Sequence, residues 1–307
     1  MKILIVASYN KTRFAPFIVE QAEALRSAGC LIDYFGITGK GIRGYLQTLP
    51  ALKAKIKAFQ PDIIHAHYGL SGLLANLQRR VPVVTTYHGS DINEAKNRPF
   101  SRLAMWLSAW NIFVSQRTLR IMHPAARFSL IPCGIDLSEL QLTAQLAARV
   151  GMGLDEKGKY VLFAGAFDNA VKAPELARAA IATLGEEVRL LELKGYSREQ
   201  VTLLMCAADV FLLTSKMEGS PQVIKEAMAC GCPIVSTDVG DVAERLAGLS
   251  GCYVAKSRDP QELAELIRQA LAFNGRTQGR ERIIEMGFDN KQVAEKLMAI
   301  YSSLTTH

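Results

Sequence analysis

The 307-residue sequence lacks any run of eighteen uncharged apolar residues, and its apolar start is short and has no cleavage-type ending. These absences argue against a membrane-spanning helix and a signal peptide. The six cysteines are scattered and form no paired framework, which is typical of a reducing compartment. We therefore expect a cytoplasmic protein that is soluble or bound peripherally at a membrane surface.

Short-period repeats, low-complexity tracts and a basic tail are also absent, which argues against solenoids, disordered linkers and a nucleic-acid partner. Positive charge is unevenly distributed, however. Residues 1–140 contain 17 Lys and Arg against 8 Asp and Glu, whereas residues 141–307 contain 19 against 21. The excess in the first part would attract an anionic membrane face or an acidic substrate.

Short runs rich in Val and Ile alternate with segments of helical period, which predicts parallel sheets wrapped by crossover helices. The alternation pauses around residues 137–159, so we expect an α/β protein with Rossmann-like domains at residues 1–140 and 141–290. We expect residues 291–307 to form a helix that crosses back to the first domain. Strands are predicted at residues 3–7, 31–35, 63–66, 83–86, 112–114, 128–131, 160–164, 188–193, 210–213, 233–236 and 252–254.

The segment from Glu218 to Glu226 follows the predicted buried strand at residues 210–213. Ser220 is a good N-cap residue and Pro221 suits the first helical position, so a helix should begin there and point its amino end into a cleft between the domains. Such an end attracts phosphates and sugar hydroxyls, and the two carboxylates could hold separate parts of one polyol. The alternative is two solvated surface glutamates.

Lys172 lies in the loop after the predicted strand at residues 160–164, and Pro174 behind it is a helix-start signal. Open α/β sheets bind ligands in the loops at the carboxyl ends of their strands. Lys172 is therefore a candidate for holding an anion, and the alternative is a lone surface lysine.

Three of the five histidines, His65, His67 and His88, lie at the ends of two predicted strands. Because alternate residues of a strand share a face, these three and Asp91 could ligate zinc. We favour instead a polar wall in which His88 hydrogen-bonds a substrate hydroxyl, since Gly89 permits close approach of the backbone. His65 itself is expected to be a core histidine satisfied by the backbone.

Two other patterns have less bearing on the site. Residues 39–44 match the dinucleotide fingerprint G-x-G-x-x-G but follow the second predicted strand rather than the first, so we interpret them as a mobile, basic loop. An apolar stripe at helical spacing, flanked by Arg98 and Arg102, comprises Leu103, Trp106, Leu107 and Trp110. Such stripes usually pack into a core, and membrane contact is the alternative.

Nearly the whole chain resembles the retaining glycosyltransferases of the GT4 type, whose GT-B fold has two Rossmann-like domains with parallel sheets facing a central cleft. The most specific match is the pair of glutamates separated by seven residues, Glu218 and Glu226, with the run AMACGCPIV that follows them. Further matches are PDIIHAH at residues 61–67, YHGSD at residues 87–91 and IPCGID at residues 131–136.

The resemblance implies that the co-substrate is a nucleotide-diphosphate sugar and that neither a metal nor another cofactor is needed. Glu226 would hold the ribose hydroxyls of this donor, while Glu218 and the segment Gly219, Ser220 and Pro221 would hold its sugar. The acceptor would be a glycan or a lipid-linked molecule in cell-envelope polysaccharide synthesis.

The same resemblance assigns Lys172 to the diphosphate and His88 to the donor sugar. The acceptor side is assigned to the following residues: His65, His67, Tyr68 and Asp91. The acceptor hydroxyl would attack from the leaving-group face with retention, and its proton would pass to the departing phosphate oxygen.

Two departures from the family pattern concern the diphosphate. Ala166 stands where an arginine is expected, and the loop after the first strand lacks the usual glycine pair. Lys11 or Arg13 could substitute for the missing cation. A catalytically silent sugar-nucleotide binder and a nucleotide-sugar epimerase therefore remain as alternatives.

Overall fold

The computed structural model describes residues 1–10, 12–273 and 275–305. Within these ranges, two parallel β-sheets contain eleven strands. In chain order they are β1 (Lys2–Ser8), β2 (Leu31–Ile37), β3 (Ile63–His67), β4 (Val83–Tyr87), β5 (Trp110–Phe113), β6 (Phe128–Leu130), β7 (Lys159–Phe163), β8 (Val188–Glu192), β9 (Val210–Leu213), β10 (Ile234–Thr237) and β11 (Cys252–Ala255). All eleven predicted strands are present, with ends that differ by at most two residues.

Helices fill the intervals between these strands, as the sequence pattern predicts. In chain order they are α1 (Pro16–Ser27), α2 (Gly41–Gln47), α3 (Leu49–Phe59), α4 (Gly69–Asn76), α5 (Ser90–Asn93), α6 (Arg98–Leu107), α7 (Gln116–Met122), α8 (Gln145–Gly151), α9 (Pro174–Ala182), α10 (Arg198–Ala207), α11 (Gln222–Ala229), α12 (Val242–Leu246), α13 (Pro260–Ala272), α14 (Gly279–Glu285) and α15 (Asn290–Thr305).

The chain divides into two compact units. The first consists of Met1–Ile135 together with Phe288–His307, and the second consists of Asp136–Gly287. These bounds differ by a few residues from those of the predicted domains. Helix α15 belongs to the first unit, where it packs against α1.

The first unit is built on a six-stranded sheet with the order β2-β1-β3-β4-β5-β6. Side chains of β1 alternate between its faces. Ile3 and Ile5 pack with α1 and α15 on one face, whereas Leu4 and Val6 pack with α3 and α4 on the other. Because both faces are covered, the strand is continuously apolar rather than alternating with polar residues.

The second unit is built on a five-stranded sheet with the order β11-β10-β9-β7-β8. Its core lies between the sheet and the helices α9 and α13, with residues of β7, β9 and β10 contributing to it. The chain passes from β7 to the neighbouring β8 and then returns to pair β9 with the opposite side of β7. The loops after β7 and β9 therefore leave the sheet side by side, at the kind of switch point where α/β sheets bind ligands.

Two sequence interpretations need correction. Residues 41–47 form helix α2, so the glycine-rich stretch is not the predicted loop; Gly39 and Gly44 lie so close together that a side chain on either would collide with the other's backbone. The apolar stripe is also interrupted, because α6 ends before Trp110, which begins β5. Trp106 is 72% exposed and Leu103 is 46% exposed, so the core interpretation is wrong for both.

No helix in the described ranges combines the length and the apolar character that a membrane crossing needs.

Candidate functional site

The loops after β7 and β9 bring two predicted site residues into contact. Lys172 Nζ donates to Glu218 Oε1 at 2.8 Å, and Ser215 Oγ donates to the same oxygen at 2.8 Å. The side chains of Lys172 and Glu218 are each about one fifth exposed. An ion pair at this depth is only partly screened by water, and it remains accessible to a ligand.

The backbone beside Lys172 is held in an unusual conformation. Ala173 is in the left-handed region, with φ of 50°, and directly precedes Pro174. Such a conformation costs on the order of 1–3 kcal/mol for a residue other than glycine and persists only where neighbouring groups enforce it. Thr214 Oγ1, from the end of β9, donates to the carbonyls of Lys172 and Ala173 at 2.8 and 2.9 Å. This hydroxyl therefore ties the two loops together.

Helix α11 begins one residue later than the sequence suggested. It starts at Gln222 with Pro221 in the N-cap position, and Ser220 does not cap it. The Ser220 hydroxyl oxygen is instead buried and has no hydrogen-bond partner among the residues described. Glu226 lies about one turn inside the helix and is half-buried. The amino end of α11 still follows Glu218 directly, as expected.

Gly219 is covered by the loop between β10 and α12. Gly240 in that loop has φ of 60°, and a Cβ atom there would lie 2.5 Å from the Gly219 carbonyl oxygen. The close approach explains a glycine at position 240, since both the dihedral angle and the space exclude a side chain. It also fixes the position of the Gly219 carbonyl.

Arg258, which the sequence analysis missed, reaches the same loops. Its guanidinium donates to the carbonyls of Ser215 and Thr214 at 2.8 and 2.9 Å. Arg258 follows β11, so the rule that singled out Lys172, a cation in a loop after a strand, could have identified it too. Ala166 lies half-buried in the loop after β7 and contributes no charge there.

The first unit has its own switch point, because β1 pairs with β2 on one side and β3 on the other. A cavity of about 580 Å³ opens there among the loops that follow the strands. Its lining includes Phe14, Tyr45, Tyr68, Phe100, Arg13 and Asp91. Aromatic side chains with a few polar groups are typical of a small-molecule site. Lys11, the other proposed substitute cation, lies outside the described residues.

Asp91 serves mainly to connect two loops at this cavity. Its carboxylate accepts hydrogen bonds from the backbone amides of Gly69, His88 and Gly89 at 2.9, 3.1 and 2.9 Å. Burial raises the pKa of Asp91 to about 6, against the lowering effect of these amides. Tyr68, which precedes Gly69, has φ of 73° and ψ of 147°, a conformation almost restricted to glycine. Strain at a cavity-lining tyrosine supports a functional role for it.

The histidines form a stack in which His65 and His67 are buried and His88 is half-buried. The ring centroid of His67 lies 4.5 Å from that of His65 and 5.2 Å from that of His88. His65 Nε2 contacts Thr86 Oγ1 at 2.7 Å and His65 Nδ1 contacts the Tyr301 hydroxyl at 2.6 Å, so side chains rather than the backbone satisfy it. In the part of the chain that the structure describes, no three His, Cys, Asp or Glu residues are arranged to hold a metal ion.

Comparison with known proteins identifies the class to which this fold and its two switch-point sites belong. The Glycosyltransferase Family 4 model matches residues 17–139, and the Glycosyl transferases group 1 model matches residues 155–272. Among solved structures, sucrose-phosphate synthase from Thermosynechococcus elongatus aligns over 99% of both chains with a TM-score of 0.84 and 20% identity. HepE of Anabaena in complex with UDP-glucose aligns over 99% of this chain and 100% of its own, with a TM-score of 0.78 and 18% identity. The fold is therefore GT-B.

The chain belongs to the glycosyltransferases of the GT4 type. It is 29% identical to the putative teichuronic acid biosynthesis glycosyltransferase TuaC of Bacillus subtilis, over 69% of this chain and 62% of TuaC. It is 26% identical to the amylovoran biosynthesis glycosyltransferase AmsK of Erwinia amylovora, over 76% of this chain and 67% of AmsK. The chain spans less than two thirds of the length of TuaC and of several other relatives.

Proposed function

We propose that this protein transfers a sugar, with retention of configuration, from a nucleotide-diphosphate sugar to a hydroxyl of a glycan or lipid-linked acceptor. The observation that carries the proposal is the contact between Lys172 and Glu218 at the switch point of the second unit. A cation for the diphosphate and a carboxylate for the sugar hydroxyls stand together there. The relatives TuaC and AmsK, named for the synthesis of teichuronic acid and amylovoran, support a role in cell-envelope polysaccharide synthesis.

The second unit would bind the donor. Glu226 would accept hydrogen bonds from ribose hydroxyls, and Glu218 from hydroxyls of the sugar. The segment from Gly219 to Pro221 would hold the sugar together with Glu218, whereas Lys172 and the amino end of α11 would hold the diphosphate and stabilise its charge. The complex of HepE with UDP-glucose makes UDP-sugars the first donors to test.

The first unit would bind the acceptor in the cavity of about 580 Å³. Aromatic rings such as Tyr45 and Phe100 suit the apolar face of a sugar or the start of a lipid chain, and Arg13 suits a phosphate. His88 would hydrogen-bond a hydroxyl of the substrate, with Tyr68 beside its ring. His65 and His67 would support this wall from behind, and Asp91 would line the cavity itself.

The basic first unit would also bring the protein to the inner face of the membrane, where lipid-linked acceptors reside. Trp106 and Leu103 are exposed on α6, and Arg102 beside them is exposed as well. Exposed apolar side chains flanked by cations are typical of interfacial helices. On this basis we propose a cytoplasmic, peripheral location.

In the proposed reaction, the bond between the anomeric carbon and the donor diphosphate breaks while the acceptor oxygen bonds to that carbon from the same face. The acceptor hydroxyl's proton passes to the departing phosphate oxygen, so no protein base is required. Lys172 would donate to the diphosphate as negative charge develops on it. A cation in this place would make a metal ion unnecessary.

Thermal unfolding with UDP, GDP, ADP and their sugar conjugates, with Mg²⁺ or with EDTA, tests donor binding. Ligand at about one hundred times its dissociation constant should add about 2.7 kcal/mol of stability. We expect one nucleotide to act without Mg²⁺ and the effect to be lost in Glu226→Ala. In Lys172→Met we expect sugar transfer to fall about a hundredfold or more. No response to any nucleotide would contradict the proposal.

The matched control for Lys172 is Lys216→Met. Lys216 lies in the neighbouring loop but is mostly exposed and pairs with Glu175 at 3.5 Å, so its replacement should leave transfer unchanged. Product analysis with and without acceptor then identifies the reaction. Retention of the donor's anomeric configuration in the product supports the proposed mechanism, and inversion contradicts it.

Ala166 favours one second candidate, a sugar-nucleotide binder without transfer activity. A cation near the developing leaving-group charge is missing at this position, and Arg258 is committed to backbone carbonyls. The stability experiment and product analysis together separate the two candidates, because a silent binder is stabilised by nucleotide but forms no product. Introducing Ala166→Arg should then raise transfer without changing nucleotide binding to the same degree.

A further inference from the structure

The contact between His67 and His88 carries information about where their protons lie. His67 Nδ1 and His88 Nε2 are 3.0 Å apart, so one of them must donate to the other. On the far side of its ring, His88 Nδ1 lies 3.5 Å from Cys133 Sγ. The other nitrogen of His67, Nε2, is buried and has no hydrogen-bond partner among the described residues.

The His67 ring carries a single N–H proton, which lies on either Nδ1 or Nε2. Complete burial, with smaller contributions from His65 and His88, holds the pKa of His67 well below its usual 6.5, so the ring is neutral. If His67 accepts from His88, its own proton must sit on Nε2 as a buried donor without a partner. If His67 donates through Nδ1, Nε2 is a buried acceptor without a partner. Among buried backbone groups, N–H donors without a partner are rarer than under-satisfied acceptors. By the same preference, we take His67 Nδ1 as the donor of this pair.

We infer that His67 is a positioning residue that holds His88 in the tautomer with its proton on Nδ1. In this tautomer, His88 Nε2 accepts from His67, and His88 Nδ1–H donates toward Cys133 Sγ or toward a substrate oxygen that takes the place of that sulfur. The rings of Phe17 and Tyr68, each 4.7 Å from that of His88 between centroids, limit its rotation. His88 therefore recognises a hydrogen-bond acceptor, such as a sugar hydroxyl oxygen or a phosphate oxygen.

The tautomer expected for His88 is the less common one, because a free neutral histidine side chain prefers the proton on Nε2. The inference about His88 and substrate rests on the proposed function, whereas the tautomer itself does not. The two can therefore be tested separately on the same protein.

Nitrogen-15 NMR of the histidine-labelled full chain measures the tautomer directly, and five histidines make assignment by single replacement practical. We expect His88 Nδ1 to be protonated and Nε2 unprotonated in the wild type at neutral pH. In His67→Leu, His88 should shift toward the Nε2–H tautomer. The exposed His123 offers a control, since His123→Asn should leave the His88 signals unchanged. Protonated Nε2 on wild-type His88, or no change in His67→Leu, would overturn the inference.

Activity provides the second readout. His67→Asn can place an amide N–H where Nδ1–H now lies, so it should keep most transfer activity, whereas His67→Leu should lose about tenfold, as expected for one lost hydrogen bond. Equal losses in both variants, at unchanged thermal stability, would show that the donated hydrogen bond is not what matters. If the NMR result holds but His88→Ala transfers sugar normally, the tautomer stands and the role proposed for His88 fails.

Discussion

His65 makes the stability of the first unit sensitive to acid. The side chain is fully buried, and burial lowers its pKa from the usual 6.5 to about 3. Between these two values the unfolded chain binds a proton that the folded protein does not. The free energy of unfolding must therefore fall as the pH falls from 6.5 toward 3.

The magnitude follows from the same linkage. Each pH unit below 6.5 costs about 1.4 kcal/mol, so lowering the pH from 7 to 5 should remove about 2 kcal/mol through His65 alone. The result depends little on the folded pKa, because any value below about 4 gives the same loss at pH 5. Replacing His65 with phenylalanine should abolish this contribution.

Tryptophan fluorescence isolates the relevant unit, because both tryptophans, Trp106 and Trp110, lie in the first unit. Urea unfolding at pH 7 and pH 5 would be compared for wild type, His65→Phe and His123→Asn. His123 is exposed and has φ of 47°, which asparagine tolerates, so its variant should behave as wild type. His65→Phe should lose about 2 kcal/mol less than wild type between the two pH values.

The variants are compared by how much the free energy of unfolding changes between pH 7 and pH 5, and not by its value at either pH. The His65→Phe variant will be less stable at pH 7, since the hydroxyls of Thr86 and Tyr301 each lose a partner. Burial raises the pKa of Asp91, so folding takes up a proton there in the same pH range, and this effect opposes the loss of stability caused by His65. Because Asp91 is present in every variant, it does not alter the difference between them. Equal losses in wild type and His65→Phe would refute the buried neutral state assigned to His65.

Two further predictions concern the second unit. Gly240→Ala and Gly248→Ala each place a side chain in the left-handed region, which should cost about 1–2 kcal/mol. Only the alanine at position 240 would collide with the Gly219 carbonyl oxygen, so calorimetry should show a larger loss of stability in Gly240→Ala than in Gly248→Ala, and only Gly240→Ala should weaken nucleotide binding. Equal losses would contradict the packing described. Arg149→Met should destabilise this unit by about 3–5 kcal/mol in the same measurement, because the nearly buried guanidinium donates to both carboxylate oxygens of Asp209 at 2.8 Å. A loss below about 1 kcal/mol, as for an exposed pair, would argue against that contact.

The sequence by itself was sufficient for the strands and for the class of fold. Buried parallel strands read as short runs of Val, Ile and Leu because both faces of the sheet are covered, and all eleven could be located from this pattern. Lys172 and Glu218 could be singled out individually, since each follows such a strand. Residues close together in the sequence therefore suffice to locate a buried strand and the loop that follows it.

Contacts between distant residues needed the tertiary structure. The order of the sheet, with β9 beside β7 although β8 intervenes in sequence, brings Lys172 to Glu218. The Tyr301 hydroxyl meets His65 across 236 residues, which no local pattern encodes. Trp106 has the spacing of a core residue and is nevertheless mostly exposed, because periodicity defines a helix face but not what covers that face.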